Sequence, residues 1–350
     1  MSSEVLLIGI FLIFIVGILM IDLLLVGRNA HVVSSKEALI WSGIWIGTAM
    51  CFYVFLKYFG HLLHGIETPE ELQAITHKYA PALKFKLTDF EGMLHEYRQF
   101  MAVSYLSGYF IEETLSVDNV FVILVILRGF SVPLENYKKV LFWGILGAII
   151  LRFIFIFAGA ALIQRFDWIL LVFGVFLIFQ GIKILWEKEG KNKDPHDSSV
   201  FRFLSKHFRI TQTYENDKFF FRKDGLLFFT PLFVVLVLIE FTDLLFAMDS
   251  IPAIFSVSLD PYVVFFSNIF AIIGLRSLFF LVSGMVDKFH YLKHGVSVLL
   301  IFVGIKLLFH SWLDDIGFKP TYSLYIIAAI LIGSVIASLI RVRNLKLKES

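Results

Sequence analysis

Glu112-Glu113-Thr114-Leu115-Ser116-Val117-Asp118-Asn119-Val120-Phe121 sets three carboxylates and three short polar side chains between apolar runs. A second stretch answers it: Asp243-Leu244-Leu245-Phe246-Ala247-Met248-Asp249-Ser250-Ile251-Pro252. In both, a carboxylate is followed six positions later by an aspartate, and that aspartate by a short polar residue, Asn119 in one and Ser250 in the other. The match continues downstream. Arg152 and then Gly181-Ile182-Lys183 follow Asp118, and Arg276 and then Gly304-Ile305-Lys306 follow Asp249. The Arg-to-Lys separations are 31 and 30 residues, while the Asp-to-Arg separations, 34 and 27, differ by a longer connecting loop around Pro133. Acid, arginine and Gly-Ile-Lys in one order in both halves read as an internal duplication.

The 350 residues are 58% hydrophobic and 17% aromatic, with a mean hydropathy of +0.81. That is too much apolar surface for a soluble protein, and it implies an all-α polytopic transmembrane bundle embedded in a lipid bilayer. The single cysteine, Cys51, excludes an intramolecular disulfide framework or a thiolate cluster and reads as packing. A net charge of +2 says little by itself, since what matters in a membrane protein is where the charges lie, and no nucleic acid partner is expected.

Apolar runs long enough to span fall near 5–27, 38–60, 100–127, 139–163, 168–187, 226–256, 262–284, 294–310 and 322–340, about nine helices. The first follows Met1-Ser2-Ser3-Glu4, lacks a basic n-region and is too long for a signal-peptide core, so it reads as a retained helix. Of the 31 Lys and Arg, 20 follow odd-numbered spans, 7 lie on the opposite side and 4 lie within or at the ends of spans. This bias puts the amino terminus outside and the carboxyl terminus in the cytoplasm. Each copy of the duplication holds three helices, an odd number, so the copies are expected to cross the membrane in opposite senses as inverted repeats. The expected organisation is two N-terminal helices and an outward loop over 1–99, a first repeat over 100–187, a basic cytoplasmic loop over 188–224, a second repeat over 225–310, and a last helix with a basic tail over 311–350.

Within the outward loop, 70–80 suits a short surface helix. His61, His64, His77 and His95 in or beside it match no metal-ligand spacing and read as loop histidines. The basic loop opens on Lys188-Glu189-Gly190-Lys191, a linker composition, and its cations suit contact with anionic lipid as well as the orientation bias.

The six charges inside the spans carry the chemistry. An ionised side chain at the centre of a membrane helix costs about 2.5 to 3.5 kcal/mol on insertion scales. Glu112, Asp118, Asp243, Asp249, Arg152 and Arg276 must therefore face one another or a wet cavity, and two crossing repeats offer one place for that. Four carboxylates against two arginines leave two negative charges, which one divalent cation or protons would neutralise. Along an unbroken helix six residues turn through about 600 degrees, so the two acids of a stretch stand about 120 degrees apart. Either the helix unwinds locally, as Pro252 suggests by leaving the Met248 carbonyl without a donor, or the ion lies in a groove between helices. Carboxylates, the Asn119 amide and the Ser250 hydroxyl are hard oxygen donors suited to Mg, Ca or Mn. Met248 adds a thioether but reads as packing, and Lys183 and Lys306 read as snorkelling.

At Leu115-Ser116-Val117-Asp118-Asn119 and Phe246-Ala247-Met248-Asp249-Ser250-Ile251-Pro252-Ala253 the sequence resembles the TerC/Alx family of bacterial membrane proteins. The resemblance extends from Thr230-Pro231-Leu232-Phe233 to Gly304-Ile305-Lys306. It implies a cytoplasmic-membrane protein of the lysine-exporter superfamily linked to manganese efflux. It also carries the family's intramembrane acids onto Glu112, Asp118, Asp243 and Asp249. The outward loop 61–99 is longer than that family pattern.

The reading is therefore an exporter of a divalent cation, with manganese as transported substrate, no permanently bound cofactor and no enzymatic activity. Glu112, Asp118, Asn119, Asp243, Asp249 and Ser250 are the expected metal site, and Arg152 and Arg276 balance charge. The alternatives are a transporter of calcium or protons, a membrane partner in metal-dependent secretion or assembly, and an intramembrane aspartyl protease. Four clustered acids with arginines do not suit the isolated pair of aspartates that such a protease needs.

Overall fold

A computed structural model describes residues 35–166, 168–186, 199–211, 213–215, 217–283, 291–309, 312–313, 318 and 320–349, together with positions 9 and 17. The span expected over 5–27 and the linker opening at 188 lie outside the described residues, as do the side chains of Asp118 and Arg276.

Among the described residues the chain forms α1 (Ser35–Phe59), a 3-10 turn (Gly60–Leu63), α2 (Pro69–Tyr79), α3 (Phe90–Gly129), α4 (Leu134–Arg165), α5 (Trp168–Trp186) and α6 (Ser199–His207). A hairpin of β1 (Phe220–Lys223) and β2 (Leu226–Phe229) follows, then α7 (Pro231–Phe255), α8 (Pro261–Ser283), α9 (Leu292–Leu308) and α10 (Pro320–Glu349). Among the described residues six segments are long and apolar enough to cross a membrane: Lys36–Leu63, Leu134–Arg165, Trp168–Trp186, Pro231–Phe255, Pro261–Phe280 and Thr321–Ser338. His294–Leu308 within α9 is a shorter apolar helix.

Local chemistry explains the boundaries. α2 takes the place of the expected surface helix, closed by a capping box in which the Thr68 side chain accepts from Glu71 N and Glu71 accepts from Thr68 N. α3 starts ten residues before the expected span because Asp89 caps it, accepting from Gly92 N at 2.9 Å. α7 starts later than the apolar run that contains it. Pro231 occupies its first turn, where a missing N–H costs nothing, and the apolar residues before it belong to β2. The hairpin is a departure from an all-α chain. Asp224 and Gly225, at φ 51° and 76°, supply the two positive φ angles that a tight hairpin turn demands between two runs of Phe and Leu.

Both acidic stretches lie in continuous helix, the first in α3 and the second in α7, with Pro252 inside the last turn and no break at Met248. Local unwinding is thus not how this structure solves the convergence problem, because the helix runs on to Phe255, where Pro252, Ala253 and Ile254 carbonyls are gathered by Ser256 N. The groove between helices remains.

Lipid gives little hydrophobic force for joining helices, so close packing of small residues carries association. α5 and α9 show this directly. A Cβ at Gly174 would lie 2.9 Å from the Gly304 carbonyl oxygen, and one at Gly181 would lie 2.8 Å from that of Ser297. As numbers rise along α5 their partners fall along α9, so the two helices run antiparallel. α3 packs on α8, α4 on α7, and α3 on α7, which brings both acidic stretches to one central bundle. Phe179 and Trp186 of α5, 63% and 81% exposed, face outward as lipid-contacting residues should. Cys51 is also exposed, on α1.

The two ends of the bundle differ. At one, His64 Nε2 and Asp260 Oδ2 meet at 2.8 Å, tying the segment after α1 to the turn before α8. There a cavity of about 1030 Å³ opens among Tyr79, Gln164, Trp168, Ser256 and Lys306. At the other, an apolar cluster of Leu127, Phe130, Leu204, Leu232 and Phe279 closes the bundle under α6.

Candidate functional site

Arg152 sits in the middle of α4 and is completely buried. An unpaired guanidinium there would be prohibitively costly, so its donors must all find acceptors. Its Nη2 donates to Asp243 Oδ1 at 3.0 Å and its Nε to Asp243 Oδ2 at 3.3 Å, a two-point grip on the carboxylate of α7. Its Nη1 donates to Glu112 Oε1 of α3 and, at 2.6 Å, to Asn268 Oδ1 of α8. Asn268 Nδ2 in turn donates to Glu112 Oε2 at 3.0 Å, and Ser116 Oγ approaches Glu112 Oε1 at 3.4 Å. One acid from each acidic stretch is thereby joined across four helices by a single arginine. Glu112 is fully buried, and the Asp243 side chain is 15% exposed.

Of the other predicted residues, Asp249, Asn119 and Ser250 share no hydrogen bond with this cluster among the described residues, and the side chains of Asp118 and Arg276 lie outside them. Asp249 is partly buried and accepts from Gln180 Nε2 of α5 at 3.2 Å. Asn119 and Ser250 are buried, and Asn119 Oδ1 and Ser250 Oγ have no hydrogen-bond partner. Met248 is about half exposed. Among the described residues no three His, Cys, Asp or Glu side chains converge as a metal site would require. The cavity near Lys306 is lined by none of the predicted site residues.

Asn268, Gln180, Glu113 and Glu240 were not among the predicted site residues. Glu113 and Glu240 each keep a buried carboxyl oxygen, Oε2, without a hydrogen-bond partner. Glu240 lies one turn before Asp243, its carboxyl seated against Gly147, where any Cβ would collide with it. The intramembrane-charge argument reaches both glutamates equally well. Asn268 and Gln180 carry no charge and give no such signal.

What this arrangement can do is hold negative charge, hydroxyls and amides inside a membrane and keep them neutralised by an arginine that competes for the same oxygens. A multi-pass helical membrane protein with a buried polar cluster of this kind is the class that fold and site define. Residues 97–346 match the integral membrane protein TerC family, and the chain belongs to that family. It is 43% identical over 301 residues to a protein of Salmonella typhi named "Putative membrane-bound redox modulator Alx", covering 86% of this chain and 84% of that one. The Alx protein of Escherichia coli K12 is 42% identical with the same coverage. A Myxococcus xanthus protein named "Uncharacterized membrane protein STKORF319" is 40% identical over 335 residues, covering 95% of this chain and 92% of that one. No solved structure matches the chain.

Proposed function

We propose that this protein exports a divalent cation, manganese, across the bacterial cytoplasmic membrane through the acidic cluster between two inverted three-helix repeats. It acts as a carrier and not as an enzyme, with its amino terminus outside and its carboxyl terminus in the cytoplasm. The observation that carries the reading is the Arg152 bridge, which holds the buried Glu112 and Asp243, one acid of each acidic stretch, together across the bundle. In this reading Arg152 and the transported ion compete for the same carboxylate oxygens. Glu112, Asp118, Asp243 and Asp249 supply the charge, and Asn119 and Ser250, whose side-chain oxygens have no hydrogen-bond partner, supply neutral oxygen donors. Arg276 plays the part of Arg152 toward the other copy.

Packing supports the repeats. The register that aligns Gly181 with Gly304 also aligns Gly174 with Ser297 and Ile178 with Ile301. Exchanging the copies turns the approach of Gly304 to the Gly174 carbonyl oxygen into that of Gly181 to the Ser297 carbonyl oxygen, and a Cβ placed on each glycine would lie 2.7 and 2.8 Å from those oxygens. It likewise turns Gly181–Ile301 into Gly304–Ile178, where a Cβ on either glycine would lie 2.7 Å from the isoleucine side chain. Equivalent helices that meet in this way and run antiparallel are what an inverted pair produces.

The names of the Alx relatives favour a second reading, a membrane-bound redox modulator. With Cys51 alone, a dithiol cycle within the chain has no second thiol. A carrier that lowers the amount of a redox-active metal alters cellular redox state without such chemistry, so the two readings meet.

The test is total cellular metal by mass spectrometry in a manganese-sensitive bacterium under manganese load. Empty vector is compared with the intact protein and with the Asp118→Asn and Asp249→Asn variants, each checked for insertion. Lower manganese with the intact protein alone supports the reading. Normal export by both variants contradicts it, and a fall in calcium instead of manganese overturns the choice of ion.

A further inference from the structure

The segment between the two halves presents a face that the bundle does not use. α6 is strongly amphipathic: Leu204 is buried and Phe201 packs on Phe130, which fastens the helix beneath the end of α3. Its opposite face carries Arg202, Phe203 and Lys206, all exposed, with Phe203 59% exposed. The hairpin continues the pattern. Its register pairs Arg222 with Leu227 and Lys223 with Leu226, a cation beside an aliphatic residue on each face, and Phe220 is 59% exposed.

The hairpin is braced at Phe229 by backbone hydrogen bonds with Arg209 and Thr211, but a two-stranded ribbon is marginal in water and apolar side chains exposed on both faces make it worse. Where the segment lies supplies its cover. β2 ends at Phe229, and the membrane span Pro231–Phe255 begins two residues later. Thr230 Oγ1 donates to Lys218 O at 2.6 Å, and Lys139 Nζ reaches Asp217 Oδ2 at 2.7 Å, fixing the loop to the entry of α7 and to α4. The surface is thus held at the level of the headgroups. Alternating cationic and apolar side chains on a helix and a hairpin there are the chemistry of an anionic lipid surface.

We propose that α6 and the β1–β2 hairpin form a docking surface for anionic phospholipid, with Phe203, Phe220, Leu226 and Leu227 entering the acyl boundary and Arg202, Lys206, Arg222 and Lys223 binding the headgroups. The surface is independent of the acidic cluster and of what is transported. It gives the connection between the two halves a lipid-dependent anchorage.

The experiment uses the full chain with Cys51→Ser, a nitroxide attached at Phe203→Cys or Phe220→Cys, and a control label at the lipid-facing position Phe179→Cys. The protein is reconstituted in phosphatidylcholine alone or mixed with phosphatidylglycerol. Accessibility is measured to oxygen, which partitions into the bilayer, and to a water-soluble nickel chelate. In the mixed bilayer both labels are expected to become oxygen-accessible and nickel-protected. Each neutralised cation among Arg202→Gln, Lys206→Gln, Arg222→Gln and Lys223→Gln weakens the docked state by about fivefold, and raised salt reverses it. Labels that stay nickel-accessible in both bilayers overturn the proposal in favour of a solvated face. Labels shielded from both reagents, with spin–spin broadening that grows with protein density, overturn it in favour of a second copy. Equal bilayer insertion without phosphatidylglycerol overturns the requirement for anionic lipid. The Phe179 control is unmoved if the bundle remains folded.

Discussion

Arg152 is where the electrostatics of the molecule can be tested one side chain at a time. Arg152→Gln leaves the Glu112 and Asp243 carboxylates facing each other without a cation, and breaking a buried pair in this way costs about 3 to 5 kcal/mol. Arg152→Lys recovers only part of that loss, since an ammonium cannot reproduce the two-point grip on Asp243. Asn268→Ala removes a neutral partner from both Arg152 and Glu112 and costs about 1 to 3 kcal/mol. Thermal unfolding of the purified variants in one detergent ranks them, and a gentle Arg152→Gln contradicts the cluster. The charged members were legible in the sequence because a charge in a span demands an explanation. Asn268 was not, since one amide in an apolar run imposes no comparable penalty.

Helices and the hairpin were legible to different degrees, and the reasons are local. Six of the nine expected spans have counterparts among the described residues, whereas 100–127 lies in α3 but is not among the apolar candidates and 294–310 is a shorter helix; Leu226-Leu227-Phe228-Phe229 merged with the apolar helix after it and hid β2. The cue was Asp224-Gly225 between aromatic runs, together with Pro231 as a helix start. At this scale the α5–α9 contact makes a sharp prediction. Gly304→Ala places a methyl 2.7 Å from the Gly174 carbonyl oxygen, forces the helices apart and costs about 1 to 3 kcal/mol, whereas Gly333→Ala, with open space around it, is silent. Loss of thermal stability in the first variant alone is the expected result. The loop before the hairpin carries a pH signature. Lys139, donating to Asp217 and sitting beside it as a charge, holds that carboxyl below its usual range. A lowered folded value means stability that is present above the ordinary carboxylate pKa and lost as pH falls through the folded one. Asp217 is largely exposed, so the effect is a small one. Hydrogen-exchange protection across 213–219, corrected for the intrinsic rate at each pH, should fall modestly on acidification, and the Lys139→Gln variant should not show the change. Burial holds Tyr214 at about 12, so its hydroxyl remains a donor to Phe130 O throughout that range.

As a whole molecule, the chain combines, among its described residues, six segments long and apolar enough to cross a membrane with a polar cluster shared by both acidic stretches, and the TerC family membership rests on 97–346, which contains every residue of that cluster. The proposed duplication rests on acids, arginine and Gly-Ile-Lys that recur in order in the sequence. How the acids meet was not, because spacing along a helix cannot say which neighbour supplies the bridge, and the answer came from Arg152 of α4 and Asn268 of α8. The account's central claim is that the buried acids carry a divalent cation across the membrane. Its most direct test is manganese flux in sealed proteoliposomes holding the intact protein or its Asp243→Asn variant, with calcium as competitor and with a proton gradient imposed in either direction. The account predicts manganese movement by the intact protein that disappears in the variant while both proteins remain folded in the bilayer. Equal flux through the two proteins, or none through the intact protein under any gradient, would contradict it.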